Sequence, residues 1–298
     1  MVLVRTPTIV LLHGQPDTSA SFWPLRRELL DRLPAGIRVL VPDRPGYGAN
    51  PLPATGYAGN VRWLHDWLEH VQAGPTVLVG HSWAGGAAIL TAAGRPADLA
   101  GLVLLASVGP DCLVPIDPVL AAPVAGELIA FATLHLGRPL VRWRARSTIL
   151  DSLAEADRPY GSCSGSAMRH RPVWRSFLLE QRALIEELPR LTAALPLITA
   201  PTMVISGDSD SMIPPRTATA LLAAISHSTG HQLQGGHDLQ LRRAAEVAEL
   251  IAGWAVERFG GVSAFAERGS AAAEPGSAER GSAERGSAER GSAAAGPA

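Results

Sequence analysis

Short apolar runs recur along the first hundred positions, each leading into a segment with helical spacing. Thr8–Leu12, Ile37–Val41, Thr76–Val79 and Leu102–Leu105 are brief runs rich in leucine and β-branched residues, as strands buried on both faces are. Between them, Phe22, Leu25, Leu29 and Leu33 mark one side of a helix over Phe22–Leu33. Val61, Leu64, Leu68 and Val71 do the same over Tyr57–Val71. Strands alternating with helices predict right-handed crossovers and a parallel sheet covered on both faces.

The alternation stops from Gly109 to about Ile198, a segment rich in Pro, Arg and Trp. It holds one clean amphipathic helix, with a stripe of Trp174, Phe177, Leu178, Gln181, Leu184, Ile185 and Leu188. The run Tyr160–Ser166 reads as a flexible loop within it. The rhythm resumes with a strand at Pro201–Ser206, a helix over Arg216–Ile225, a strand at His231–Leu233 and one last helix from Leu239 to Phe259. The expectation is an α/β fold of about six mostly parallel strands. Its core comprises residues 1–108 and 199–260, with a helical insertion at 109–198. Residues 261–298 repeat Ala-Glu-Arg-Gly-Ser through Ala278, Ala283 and Ala288, can bury no face, and are expected to be a disordered tail.

Composition removes several function classes. The chain has 298 residues, 47% hydrophobic and 18% charged, enough for a full-sized core. A net charge of −1 gives no electrostatic case for nucleic acid or an anionic membrane. The arginines of the insertion (Arg138, Arg142, Arg144, Arg146, Arg169, Arg171, Arg175) are nearly balanced by acids and read as a solvated face rather than an anion site. Two cysteines, Cys112 and Cys163, make neither a metal spacing nor a disulfide framework, which points to a reduced, cytoplasmic setting. The N-terminus lacks a small-residue cleavage site, so no signal peptide is expected. The most apolar window, Val119–Leu136, is broken by Pro123, Gly126, Glu127 and His135 and is no membrane span.

The candidate chemistry centres on Pro75–Ala88, PTVLVGHSWAGGAA. A strand that reverses into a helix within a few residues holds the serine between them in a strained conformation and lifts its hydroxyl clear of the sheet. Small residues at Gly80 and Ala84 permit the close approach, and the Trp83 N–H falls at a helix start, where an oxyanion can be held. This stretch resembles the nucleophile elbow of the α/β-hydrolase superfamily, with Ala84 where the usual pattern has a second glycine. His13-Gly14-Gln15-Pro16 and Asp43-Arg44-Pro45-Gly46-Tyr47-Gly48 are two further points of resemblance. The resemblance implies that the Gln15 N–H is the second oxyanion donor. It also implies that the insertion is a lid over the nucleophile. The superfamily usually has an antiparallel strand pair before the strand ending in His-Gly. Seven residues precede Thr8, so that pair is expected to be missing, whether the sheet is trimmed or the start codon misplaced.

A serine hydroxyl needs a base, and the base needs a third group to fix its tautomer. The superfamily's chain order is nucleophile, acid, histidine. Ser82 is followed by Asp210 at the family's acid position and by His237 after two glycines. Asp208 reads as a loop or capping residue, Asp111 stands at an alternative acid position, and Asp238 is too close in sequence to His237 to partner it. His13 and His81 read as loop-orienting and packing residues, and Asp43 and Arg44 as loop ties. No carboxylate pairs with histidines at metal-ligand spacing, so neither metal nor cofactor is expected. The resemblance implies a serine hydrolase acting on a small or medium apolar ester, thioester or lactone. Alternatives are C–C bond hydrolysis, cofactor-free peroxide chemistry, or a non-catalytic small-molecule binder. Serine at position 82 argues against dehalogenase and epoxide hydrolase relatives, which use aspartate there. Oligomeric state is not legible.

Overall fold

The computed structural model of the protein describes residues 5–94, 99–136 and 172–271. The chain divides into two compact units, Met1–Val262 and Ser263–Ala298. The first carries everything that follows, and the described part of the second, 263–271, is helical.

Six strands form one sheet: β1 (Thr6–Leu12), β2 (Arg38–Leu40), β3 (Ala73–His81), β4 (Leu99–Leu105), β5 (Thr202–Gly207) and β6 (Ser228–Leu233). Their order is β2-β1-β3-β4-β5-β6 and every neighbouring pair is parallel. Period-two alternation sends Ile9, Leu11, Val77, Val79, Val103 and Leu105 to one face. There they pack on Leu25 and Leu29 of α1 (Trp23–Arg32) and on Val247 and Ile251 of α9 (Ala244–Ala271). Val10, Leu12, Leu78, Leu102 and Leu104 face the other way. They meet Leu64 of α2 (Tyr57–His70), Ala88 and Ile89 of α3 (Ala84–Gly94) and Leu221 of α7 (Pro215–Ala224). The expected parallel sheet with helices on both faces is therefore the observed one. β1 and β3 are neighbours whose connections lead outward in opposite directions, so a crevice opens beyond their carboxyl ends. The residues after β1 and β3 are those singled out for chemistry.

Between β4 and β5 lie α4 (Asp117–Ala121), α5 (Ala125–Ala130), a π-helical turn at Phe131–Leu136 and the long helix α6 (Val173–Ala194). The loop expected at Tyr160–Ser166, the arginines Arg138, Arg142, Arg144, Arg146, Arg169 and Arg171, and the Ala-Glu-Arg-Gly-Ser units at Ala278, Ala283 and Ala288 lie outside the described residues.

Three expectations need correction. The single helix expected over Leu239–Phe259 is two, α8 (Leu239–Arg242) and α9. Arg243 leaves the helical region (φ −127°, ψ 30°), and its guanidinium turns to the Gln234 carbonyl at 2.8 Å. The helix then runs on to Ala271, past the boundary expected at Gly260. β6 begins at Ser228, because backbone pairing with β5 extends through polar Ser228, Thr229 and Gly230. As an edge strand it shows no buried run to read.

Candidate active site

At the end of β3 the chain turns into α3 within two residues, with Ser82 at φ +54°, a left-handed conformation unusual for serine. Its backbone is held on both sides: its N–H donates to Leu105 at 3.1 Å, and its carbonyl accepts from Gly85 at 3.0 Å and Val108 at 3.2 Å. A Cβ at Gly80 would stand 2.8 Å from Ala88 Cβ and from Gly85 Cα, which is why the elbow takes glycine there. Ala84 is fully buried.

His237 follows β6, and its Nε2 lies 2.9 Å from Ser82 Oγ. On its other side Nδ1 lies 2.8 Å from Asp210 Oδ2. The second oxygen of Asp210 accepts the N–H groups of Met212 at 2.8 Å and Ile213 at 2.9 Å. Burial raises the pKa of this carboxyl, but the His237 hydrogen bond and charge and the two N–H groups outweigh it, leaving it below the usual carboxylate range. Three residues spread over 155 positions thus form one hydrogen-bonded chain, with the Asp210 side chain 1% exposed. The other acids stand apart from it. Asp208 Oδ1 accepts the Gly235 N–H at 2.9 Å and ties two loops together. Asp111 sits at a turn with φ +59°, its carbonyl accepting Arg216 Nε. Asp238 caps the start of α8 with its carbonyl.

The turn after β1 lies directly against the serine. A Cβ at Gly14 would stand 2.8 Å from Ser82 Cβ and 3.3 Å from Ser82 Oγ. Among the described residues, no acceptor is paired with the backbone N–H of Gln15 or of Trp83. His13 is buried, with Nδ1 donating to the Gly14 carbonyl at 2.9 Å and Nε2 accepting the Arg44 N–H at 2.9 Å. Burial, with Arg44 beside it, lowers its pKa to about 3. His81 Nε2 donates to the His237 carbonyl at 3.2 Å, and burial together with the neighbouring His237 lowers its pKa to about 3. Both imidazoles are neutral braces.

The periodicity of α6 concealed one partner. Its buried face includes Ser176, Leu178, Glu180, Gln181, Ala183 and Leu184, whereas Trp174, Phe177, Ile185 and Leu188 are only partly covered. Glu180 is completely buried and pairs with both guanidinium nitrogens of Arg44 while accepting the Tyr47 hydroxyl at 2.7 Å. Its carbonyl takes Trp83 Nε1 at 2.9 Å. Trp83 is stacked against Tyr57 at 4.1 Å on one side, with Arg44 4.6 Å from its centroid. Glu187, two helical turns further along α6, accepts the first N–H of α2 from Tyr57 at 3.1 Å. Arg44 therefore ties its own loop, through His13 and Gly14 carbonyls, and also α6. Asp43 closes the loop by accepting Ser19 and Ala49 N–H groups.

A doubly wound sheet that gathers a serine, a histidine and an aspartate at the carboxyl ends of its strands defines the α/β-hydrolase class of fold. The chain matches the alpha/beta hydrolase family over residues 9–250 and belongs to it. It is 29% identical to 2-hydroxymuconate semialdehyde hydrolase of Pseudomonas sp. (strain CF600), over 84% of this chain and 87% of that protein. It is 27% identical to a haloalkane dehalogenase of Mesorhizobium japonicum, over 84% of this chain and 85% of that one. Among solved structures, a thermophilic esterase from Thermogutta terrifontis shares the fold with a TM-score of 0.65 at 22% identity, covering 85% of this chain and 91% of the esterase. No helix among the described residues is long and apolar enough to cross a membrane.

Proposed function

We propose that this protein is a serine hydrolase that cleaves a carboxylic ester, thioester or lactone of a small or medium apolar substrate through an acyl-enzyme. The observation that carries the reading is the Ser82–His237–Asp210 chain, with both links under 3 Å. Ser82 attacks the carbonyl carbon while His237 Nε2 takes its proton and then returns it to the leaving group. Asp210 holds Nδ1–H and stabilises the imidazolium. The N–H groups of Gln15 and Trp83 receive the oxyanion, each worth about 2.7–4 kcal/mol in comparable sites. Water, activated by the same histidine, then releases the acid. Core residues 1–108 and 199–260 carry this machinery. Residues 109–198 act as its lid, a role supported by the contacts of α6 with Arg44, Trp83 and Gln15. The buried free thiol of Cys112 fits a cytoplasmic setting.

Labelling with a fluorophosphonate tests the reading. A label that is lost in Ser82→Ala and kept in Ser107→Ala supports it; a folded wild type that takes no label makes the protein a ligand binder instead. The likeness to 2-hydroxymuconate semialdehyde hydrolase favours C–C bond hydrolysis as a second reading. A vinylogous diketone screened beside p-nitrophenyl esters of rising chain length separates the two, and a peroxide assay covers the cofactor-free oxidation open to the same triad. The dehalogenase relative's reaction is not proposed, because a serine stands at position 82.

A further inference from the structure

The turn that lies against Ser82 carries a side chain that hydrolysis itself leaves unused. Gln15 Nε2 donates to Gln181 Oε1 at 2.9 Å, and Gln181 Nε2 donates to Asp117 Oδ1 at 2.8 Å. The other oxygen of Asp117 accepts the Val114 N–H at 2.7 Å. A carboxylate only accepts. Gln181 must therefore turn its nitrogen towards Asp117, which leaves its oxygen for Gln15 and obliges Gln15 to offer its own nitrogen. The polarity of the chain is set at its far end, on α4, and transmitted through Gln181, which is 3% exposed.

The atom left over is Gln15 Oε1. It is buried and has no hydrogen-bond partner among the described residues. It belongs to the residue after Gly14, whose backbone rests against the Ser82 side chain. A buried amide oxygen facing no donor is unfavourable, and a ligand that supplies a donor relieves it. Resting on the hydrolase reading, we propose that Gln15 Oε1 selects substrates bearing a hydroxyl or amide N–H close to the scissile carbonyl. It rejects isosteres that present an acceptor at the same point.

Asp117→Asn inverts this polarity without touching the nucleophile. Val114 N–H still demands an acceptor, so the new amide turns its oxygen to Val114 and its nitrogen to Gln181. Gln181 then offers its nitrogen to Gln15 Oε1, and Gln15 Nε2 faces the substrate. The probes are p-nitrophenyl octanoate and its 2-hydroxy, 3-hydroxy, 2-oxo and 3-oxo counterparts, assayed with the full chain. The hydroxy-to-oxo ratio of kcat/KM should be, at one position at least, about tenfold or more higher in wild type than in Gln15→Leu, which removes the amide. Asp117→Asn should bring the ratio to that of Gln15→Leu or below. Comparing ratios between proteins cancels the intrinsic reactivity of each ester. A wild-type ratio equal to that of Gln15→Leu, or Asp117→Asn with an unchanged ratio, overturns the assignment.

Calorimetric binding of the same esters to Ser82→Ala separates this idea from the hydrolase reading. Tenfold tighter binding of a hydroxy ester, with no turnover by wild type, retains the Gln15 assignment and discards hydrolysis. Turnover without discrimination discards the assignment alone. Neither turnover nor selective binding discards both.

Discussion

Arg44 and Glu180 meet with both side chains at 0% exposure, joining the loop after β2 to α6 across 136 positions of chain. The same glutamate accepts the Tyr47 hydroxyl, and its carbonyl holds the indole of Trp83, the residue after Ser82. A shift of α6 is therefore felt at the elbow. Removing one partner of such a pair leaves an uncompensated charge, at a cost of about 3–5 kcal/mol, whereas replacing both with apolar groups is far milder. Glu180→Ala should lower unfolding stability by that amount in urea, and Arg44→Met with Glu180→Met should recover most of it. A double variant as unstable as the sum of its singles would show that the two residues act independently.

The two aspartates of the loop after β5 give a test of the acid proposed for the triad. Asp210 holds His237 Nδ1 and is itself held by two N–H groups, whereas Asp208 holds the exposed Gly235 turn and makes no hydrogen bond to His237. Asp210→Asn keeps the shape and offers His237 the wrong tautomer, which in comparable triads costs about 10⁴ in kcat. Asp208→Asn should stay within about tenfold of wild type. Steady-state kinetics on one ester decides it, and equal losses would move the acid elsewhere.

Much of this was legible in the sequence because the strands are buried on both faces and leave unbroken apolar runs, as Thr8–Leu12 and Leu102–Leu105 do. The elbow was legible because only small residues tolerate the contact of Gly80 with Gly85 and Ala88. What the sequence does not signal is polar and long-range. Glu180 lies off the stripe read along α6, and nothing near it in sequence points to Arg44. Gln15 and Gln181 gain meaning only when α6 lies over the turn after β1. The break at Arg243 is not legible because apolar spacing continues through it, while its partner, the Gln234 carbonyl, sits in the preceding loop.

The closeness of Gly14 to Ser82 gives a steric test of the proposed mechanism. A methyl group there would stand 2.8 Å from Ser82 Cβ and 3.2 Å from His81 Nδ1, so the turn or the serine must move by several tenths of an ångström. A displacement near 1 Å between reacting groups can cost about 10² in rate, while overpacking costs about 1–3 kcal/mol in stability. Gly14→Ala should accordingly fold but lose about a hundredfold in kcat/KM and react slowly with a fluorophosphonate. Unchanged labelling kinetics would mean that the turn is free to yield.

Acid should destabilise the fold through its two buried braces. His13 and His81 titrate near 3 in the folded protein, against 6.5 ordinarily, because burial disfavours their charged forms. Between those values the unfolded chain binds a proton that the folded one refuses. Stability therefore falls as pH drops through the window, by up to about 1.4 kcal/mol per pH unit for each histidine. Asp17 opposes them. Burial, with some repulsion from Asp238, raises it to about 6, so between 3.8 and 6 the folded state keeps a proton that the unfolded state has lost. Its contribution fades as pH rises through that range. Two histidines against one aspartate leave a net loss of stability on acidification from pH 6.5 to pH 4. Below that, Asp210 adds to the loss, because its depressed pKa stabilises the fold only while the carboxyl stays ionised. Urea midpoints at pH 7, 5.5 and 4.5 should decline in that order. His81→Asn, which can still donate to the His237 carbonyl, should flatten the decline, and Asp17→Asn should steepen it. A slope unmoved by either substitution would place the acid sensitivity in other groups.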